Sequence, residues 1–256
     1  MFKPRIGTIT ACYNAGKYFH NCLNGLLAQE LRPSFITVID DCSTDDSVEI
    51  IRYEIETAGG GIKAETDQVL TAEIGLKDRS EIKVFKNKIN KGPAGARNTG
   101  LKYLLDKTDV ICIADCDDFL YPNKISRSVE IMNKYSHLAI VYSDYDTYNT
   151  KTEEIKREFK EPFSSKRLAE ECIVSNNSLI ATSIFNIVGF YDETLRGPED
   201  YDMWLRISQA AAIYHVPESL YQYNITGENI TITTPPEKFA EQVWRLKQKM
   251  VQKNVQ

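Results

Sequence analysis

The stretch ICIADCDDFLYP, residues 111–122, changes abruptly from an apolar run to a cluster of acids. Asp115, Asp117 and Asp118 lie within four positions, directly after a continuous apolar run typical of a strand buried on both faces. Like charges repel, and the mouth of an apolar core is an unfavourable place for them. A divalent cation together with a donor-rich ligand would make their proximity stable, so the stretch predicts a ligand site at the end of a strand.

The strand before this cluster belongs to an alternating series of strands and helices. Apolar or β-branched runs predict strands at residues 5–11, 35–41, 81–87, 109–115 and 138–148. Helical spacing and helix-start residues predict helices at residues 17–29, 47–56, 92–107, 123–136, 166–174 and 198–211. Residues 178–189 read as a strand that runs into a helix, and residues 212–224 read as extended. This alternation predicts an α/β fold with a mostly parallel sheet flanked by helices.

Two segments do not fit the alternation. Residues 57–80 are rich in glycine and charge, and we interpret them as an inserted loop with one short helix. Residues 235–252 place Phe239, Val243, Leu246 and Met250 on one face and predict an amphipathic C-terminal helix. Because its polar face is not strongly basic, docking on the domain, or on a second subunit in a homo-oligomer, is favoured over membrane insertion.

Composition narrows the class of protein. The 256 residues carry a net charge of −5, and their basic residues are dispersed, so we expect no nucleic-acid partner. No signal peptide is recognised, and no run approaches the ~18 apolar residues of a membrane span. These features predict a cytoplasmic protein whose membrane contact, if any, is peripheral. The six cysteines are scattered, which is typical of reduced thiols.

Polar side chains follow three of the predicted strands. They lie at residues 10–14, at residues 40–41 and at residues 115–118. Ligands of open parallel sheets bind beyond the carboxyl ends of the strands, so we expect the three clusters to converge. The alternative, a set of helix caps and turn aspartates, stays open for Asp118 taken alone. The three histidines are isolated in sequence, so an oxygen-rich site points to Mg²⁺ or Mn²⁺ rather than to zinc.

Five segments in succession resemble the motifs of family 2 glycosyltransferases, which have the GT-A fold. They span residues 5 to 225 and read TITACYNAGKYFHNCLNGLLAQ, VIDDCSTDDS, NKGPAGARNTGL, IADCDDFLYPNKI and GPEDYDMWLRI. The resemblance implies one GT-A-type, Rossmann-like domain over residues 1–235, followed by a C-terminal helix at 236–256. Within the domain, residues 1–120 would bind the nucleotide sugar and residues 121–235 the acceptor.

The resemblance also implies roles on the donor side. Thr10, Ala11 and Tyr13 would line the pocket for the nucleotide base. Asp41 would accept a hydrogen bond from the base. Arg97 would lie near the nucleotide or diphosphate, with inward pairing to the aspartates as the alternative.

The remaining implied roles concern the metal and the acceptor. Asp115 would hold the ribose or nucleotide, Asp117 would bind Mn²⁺ or Mg²⁺, and Asp118 would support them from behind. Asp200 would be the general base, with Glu199 orienting the acceptor or tuning that base. The reaction would be inverting transfer of a sugar from a nucleoside diphosphate sugar, with a UDP-linked donor favoured. The acceptor would be a glycan, a lipid-linked intermediate or a protein.

Alternatives to this function stay open at the sequence level. The main one is a catalytically inactive domain of the same fold that binds a sugar nucleotide or a glycan. A dehydrogenase is disfavoured because no G-x-G-x-x-G follows the first strand. One departure concerns a segment resembling Tyr-Arg-x-His in many family members, where this chain has Asn224 and Thr226. Trp204 is expected to pack in the core rather than to stack on a sugar.

Overall fold

The computed structural model describes residues 3–75 and 79–253, which form a mixed β-sheet with helices on both faces. The strands are β1 (Ile6–Cys12), β2 (Phe35–Asp40), β3 (Gly61–Glu65), β4 (Val69–Ile74), β5 (Ser80–Lys86), β6 (Val110–Ile113), β7 (Phe119–Leu120), β8 (Leu138–Asn149), β9 (Ile155–Glu158), β10 (Leu179–Ala181) and β11 (Ala212–Ile225). The helices are α1 (Phe19–Leu27), α2 (Ser47–Thr57), α3 (Gly92–Leu104), α4 (Lys124–Lys134), α5 (Ser165–Glu170), α6 (Phe185–Val188), α7 (Glu199–Ala210), α8 (Ile230–Thr233) and α9 (Pro236–Lys253).

The centre of the sheet is parallel. The strand order is β3-β4-β5-β2-β1-β6-β10-β8-β11-β7, with β9 beside β8, and the central strands β5, β2, β1 and β6 run in one direction. Ile9 in β1 pairs with Thr37 on one side and with Ile113 on the other. The carboxyl ends of β1, β2 and β6 therefore lie at one edge of the sheet, which confirms the predicted fold class and brings the acidic segments to the same side.

Alternate side chains of the central strands enter two apolar layers. Ile9 and Ile39 pack with the layer that contains α3 and α7, whereas Val38 and Cys112 pack with the layer that contains α1 and α2. Trp204 of α7 is fully buried in the first layer, so its predicted packing role is confirmed. Burial on both faces explains why these strands are apolar without alternation.

The interpretation of residues 57–80 as a loop with a short helix is wrong for its described part. Helix α2 continues to Thr57, and β3 and β4 form an antiparallel hairpin that extends the sheet beyond β5. Leu70 and Ala72 are buried on β4, between neighbours that are only partly covered. This alternation is short and rich in polar residues, and the open edge of β5, which only the tertiary structure reveals, supplies its partner. Residues 76–78 lie outside the described residues.

A second correction concerns the predicted helix at residues 166–174. Helix α5 begins at Ser165 and ends at Glu170, so residues 172–174 are not helical. Ile173 and Val174 are instead buried as part of the segment that leads into β10. Their apolar character therefore reflects burial in the core rather than a helical face.

The C-terminal helix α9 docks on the domain, as predicted. Leu246 is fully buried, and Val243 packs against the layer that contains Trp204. Lys247 donates a hydrogen bond through Nζ to the carbonyl oxygen of Glu170 at 2.8 Å. Trp244 is 61% exposed, and an oligomer through this helix stays a prediction. The side chain of Met250 and residues 254–256 lie outside the described part of the chain.

No helix formed by the described residues is both long enough and apolar enough to cross a lipid bilayer.

Candidate active site

The acidic loop after β6 is held by donors from distant parts of the chain. Asp115 accepts a hydrogen bond on Oδ1 from Nη2 of Arg97 at 3.1 Å, and on Oδ2 from the amide of Asn176. Its backbone N–H donates to Oδ1 of Asn177 at 3.1 Å. The side chain keeps 26% of its surface exposed, so it remains accessible to solvent at the edge of the sheet.

Arg97 links this loop to the start of α7. Its Nη1 donates to Oε1 of Glu199 at 2.8 Å while Nη2 donates to Asp115, and only 6% of the Arg97 side chain is exposed. The guanidinium also lies over the ring of Tyr191, with Cζ 5.7 Å from its centroid. A buried cation needs such partners, because a charge without them is costly in an apolar interior. The inward pairing considered from the sequence is therefore present, and a contact of Arg97 with the nucleotide stays a prediction.

The two carboxylates at the start of α7 have different surroundings. Glu199 is 4% exposed, pairs with Arg97, and accepts a hydrogen bond on Oε2 from the backbone N–H of Gly197 at 2.8 Å. Asp200 is partly buried and accepts on Oδ1 from the backbone N–H of Tyr201 at 2.7 Å. Burial raises the pKa of Asp200 to about 7, and the negative charge of Glu199 adds to this while Arg97 opposes it. Asp200 therefore has the basicity expected of a proton acceptor at neutral pH.

Asp117 and Asp118 also differ, although they are adjacent. Asp118 is 2% exposed and is held by the backbone N–H of Asn224 at 3.1 Å and by Nδ2 of Asn177 at 2.5 Å. Asp117 accepts on Oδ2 from Nδ2 of Asn229 at 3.0 Å. Burial and the charge of Asp115 raise the pKa of Asp117 to about 6. Its negative charge is thus poorly compensated within the protein, which is the condition in which a cation would stabilise it.

No ready-made metal cage is present in residues 3–75 and 79–253. In this part of the chain, no group of three or more His, Cys, Asp or Glu side chains is arranged to hold an ion. A divalent cation at Asp117 would accordingly take most of its ligands from a bound molecule or from water. Mg²⁺ in phosphate-binding sites is commonly held in this way, through one or two carboxylates and the phosphates of the substrate.

Asp41 lies at the same edge of the sheet but has a different environment. Its carboxylate accepts hydrogen bonds from Nδ2 of Asn87 at 2.8 Å, from the backbone N–H of Lys91 at 3.0 Å and from that of Gly92 at 2.6 Å. The residue is 2% exposed. Asp41 therefore caps the start of α3, where backbone N–H groups lack partners within the helix. Its expected contact with a nucleotide base stays a prediction.

The side chains of the three residues expected at the base pocket lie in different surroundings. The hydroxyl oxygen of Thr10 lies 3.9 Å from Sγ of Cys22, on the side of the sheet that α1 covers. Ala11 is partly buried against the opposite layer. Tyr13 is 49% exposed at the end of β1, so it is the member of this group whose side chain is available to a ligand.

No sequence pattern predicted that four asparagines donate to the acidic loop, although one of them, Asn224, lies in the segment that departs from the family motif. Each donates a side-chain amide N–H to this loop; they are Asn176, Asn177, Asn224 and Asn229. An acidic cluster at the edge of an apolar core needs hydrogen-bond donors, so the sequence did indicate that donors must lie near Asp115, Asp117 and Asp118. It did not identify them, because they lie 59 to 112 residues away along the chain.

Comparison with known proteins gives a family. The model for "Glycosyl transferase family 2" matches residues 8–189. The chain is 24% identical over 230 residues to a chondroitin synthase of Escherichia coli, covering 90% of this chain and 30% of that protein. It is 26% identical over 242 residues to an uncharacterized glycosyltransferase of Rickettsia prowazekii, covering 91% of this chain and 68% of that protein. The chain thus spans less than a third of the chondroitin synthase.

Solved structures show the same fold. TarS 1–349 of S. aureus, crystallised with UDP-GlcNAc, aligns with a TM-score of 0.70 at 21% identity, over 95% of this chain and 65% of that chain. The mannosyltransferase PcManGT from Pyrobaculum calidifontis, in complex with GDP-Man and Mn²⁺, aligns with a TM-score of 0.65 at 14% identity, over 90% of this chain and 59% of that chain. At these identities the likeness establishes the architecture, which confirms the predicted GT-A type.

Proposed function

The chain belongs to glycosyl transferase family 2, and from this premise we propose that it transfers a sugar from a nucleoside diphosphate sugar to an acceptor hydroxyl with inversion at the anomeric carbon. One observation carries the proposal. Arg97 pairs with Asp115 of the acidic loop and with Glu199, the neighbour of Asp200. This contact supports a single site in which the expected donor and acceptor residues lie side by side. The UDP-GlcNAc bound to TarS and the GDP-Man bound to PcManGT support a nucleotide-linked donor, and we favour a UDP-linked one.

Asp117 would hold the divalent cation. Its carboxylate is only partly buried and meets a neutral amide rather than a basic side chain, so its charge fits Mn²⁺ or Mg²⁺. When bound, the cation would offset the negative charge that develops on the leaving diphosphate. Asp118 fixes the loop behind it through Asn177 and Asn224.

Asp200 would act as the general base. Burial and the charge of Glu199 raise the pKa of Asp200 to about 7, which suits a group that takes up a proton near neutral pH. This carboxylate would take the proton of the acceptor hydroxyl as that oxygen attacks the anomeric carbon from the face opposite the diphosphate. The anomeric bond to the diphosphate oxygen breaks in the same step, which inverts the configuration. Glu199, fixed by Arg97 and Gly197, would keep the basicity of Asp200 high and orient the acceptor.

The proposed acceptor and cellular setting rest on the sequence. We propose a glycan, a lipid-linked intermediate or a protein as acceptor, in a cytoplasmic setting with at most peripheral membrane contact. The support is the sequence resemblance together with the dispersed charge of the chain. The same charge pattern supports the absence of a nucleic-acid partner.

A donor screen tests the proposal. The purified 256-residue chain would be mixed with UDP- and GDP-linked sugars in the presence of Mn²⁺, and the released nucleoside diphosphate would be measured. We expect metal-dependent release with at least one donor, and its loss in Asp117→Ala. Binding of a donor without turnover, with and without candidate acceptors, would instead support the inactive binding domain.

A further inference from the structure

The segment at residues 224–229, which comprises the end of β11 and the turn that leads to α8, packs against the acidic loop. Asn224 donates its backbone N–H to Oδ1 of Asp118 at 3.1 Å and its Nδ2 to the carbonyl oxygen of Asp117 at 2.5 Å. Asn224, Thr226 and Asn229 are 5%, 7% and 8% exposed. The acidic loop therefore rests on a buried polar turn that lies more than 100 residues away along the chain.

Asn229 is the member of this turn that reaches a carboxylate expected to bind the ligand. Its Nδ2 donates to Oδ2 of Asp117 at 3.0 Å and to the carbonyl oxygen of Asn224 at 2.9 Å. Its Oδ1 accepts from the backbone N–H of Thr226 at 2.9 Å and from the Thr226 hydroxyl at 3.2 Å. A backbone N–H is always a donor, so the amide oxygen must face Thr226 and the NH₂ group must face Asp117.

The outer end of the same turn is tied to the loop after β1. Glu228 pairs with Nζ of Lys17 at 2.9 Å and accepts a hydrogen bond from the hydroxyl of Tyr18 at 3.2 Å. These side chains are largely exposed, with Lys17 at 52% and Glu228 at 59%. Exposed pairs of this kind are weak. The contact offers a matched control, because it belongs to the same turn and does not touch Asp117.

We propose that Asn229 is a positioning residue for the cation site at Asp117. Many members of the family have a segment that resembles Tyr-Arg-x-His at this place, whereas this chain has Asn224 and Thr226. This inference rests on the proposed function. The neutral amide of Asn229 fixes one oxygen of Asp117 and cancels none of its negative charge. The other oxygen would then be free to bind a cation, in an orientation that Asn229 sets. Partners that orient a metal-binding side chain typically contribute about 10- to 100-fold to metal affinity.

The test compares Asn229→Ala with Glu228→Gln in the 256-residue chain. Free Mn²⁺ is measured by electron paramagnetic resonance during titration in the presence of UDP, with GDP as a parallel probe. UDP binding without metal is measured by calorimetry. We expect Asn229→Ala to weaken the Mn²⁺ affinity about 10-fold and to leave metal-free UDP binding within about twofold. Glu228→Gln should match the wild type in both measurements.

Each other outcome is decisive. An unchanged Mn²⁺ affinity in Asn229→Ala, or an equal loss in Glu228→Gln, overturns the inference and leaves the turn a merely structural element. Melting in metal-free buffer checks the fold, and Asn229→Leu, which keeps the volume and removes the donor, replaces an alanine variant that does not fold. A wild-type chain that binds Mn²⁺ with neither nucleotide contradicts the metal-assisted function itself, and so separates the two failures.

Discussion

Asp41 and Asp117 both follow parallel strands of the same sheet, yet their carboxylates meet different surroundings. Asp41 accepts hydrogen bonds from two backbone N–H groups and one side-chain amide, and it is 2% exposed. Asp117 meets the single amide of Asn229 on Oδ2, beside the like charge of Asp115. Burial and this repulsion raise the pKa of Asp117 to about 6, whereas three donors meet the charge of Asp41.

The difference separates a structural acid from one that is available to a ligand. A carboxylate whose acceptor positions are filled by backbone N–H groups stabilises the fold and has little capacity for another partner. A carboxylate held near other acids with few donors destabilises the fold until a cation or a proton arrives. Natural proteins accept such local costs at functional sites, so the contrast supports the cation-binding role proposed for Asp117. Asp41 caps α3, and its expected contact with a nucleotide base stays a prediction.

The largest effect on the transfer rate is expected at Asp200, whose pKa is raised, as is that of Asp117. Replacing it by asparagine removes the proton acceptor, so Asp200→Asn should lower the transfer rate by about 10²- to 10⁴-fold without unfolding the protein. Steady-state kinetics with the best donor of the screen measures this. Asp202→Asn is the control, since Asp202 lies in the same helix and pairs with Arg206. A similar loss in both variants would contradict the assignment of the base.

The second-largest effect is expected at Arg97, which pairs with both Asp115 and Glu199. Arg97→Met should lower the free energy of unfolding by about 3–5 kcal/mol, because it leaves Asp115 and Glu199 without their common cation. Urea unfolding at neutral pH measures the change. Arg52→Met, which breaks an exposed pair with Glu56, should have little effect. A small effect at Arg97 would mean that Asp115 and Glu199 find other partners, and would contradict the role of Arg97 in holding these two carboxylates together.

The pH dependence of the reaction tests the electrostatics of the same site. Asp200 acts as a base only when it is deprotonated, and its pKa is raised to about 7. We therefore expect kcat/KM to rise about tenfold per pH unit below pH 7 and to level off above it. A profile that is flat between pH 5 and pH 8 would show that the rate-limiting step does not depend on this carboxylate.

Asp41→Asn should destabilise the protein. The introduced NH₂ group would face N–H donors at the start of α3, leaving buried donors without an acceptor. We expect the free energy of unfolding to fall by about 1–3 kcal/mol. Thermal or urea unfolding in metal-free buffer gives the value. An unchanged stability would remove the distinction between Asp41 and Asp117.

Asp117→Asn should instead raise the free energy of unfolding in the absence of metal. A carboxyl group whose pKa is higher in the folded than in the unfolded state binds protons preferentially in the folded state, so stability falls as the pH rises from about 4 through about 6. The neutral variant avoids this cost and should be more stable than the wild type by about 1 kcal/mol at pH 7.5 without metal. Mn²⁺ with nucleotide should stabilise the wild type more than the variant. Destabilisation by Asp117→Asn in metal-free buffer would contradict the comparison.

Much of the fold was accessible from local patterns. The apolar runs that became β1, β2, β5, β6 and β8 are buried on both faces or against helices, and such runs carry their signal within a few residues. The hairpin β3–β4 was missed because its alternation is short and its stability depends on pairing with β5. The end of α5 was missed because Ile173 and Val174 are apolar for reasons of core packing.

The sequence by itself determined the class of fold and the acids that lie at the carboxyl ends of the strands, because these follow from residue type and spacing along the chain. The family followed from the resemblance of five segments to known motifs. Only the tertiary structure decided which acid caps a helix, which pairs with Arg97 and which is held by Asn229. Such assignments depend on donors that lie 18 to 112 residues away, and on the face of a strand or helix from which each side chain projects. A carboxylate becomes structural or available to a ligand according to the donors that folding places around it, and local sequence carries no record of them.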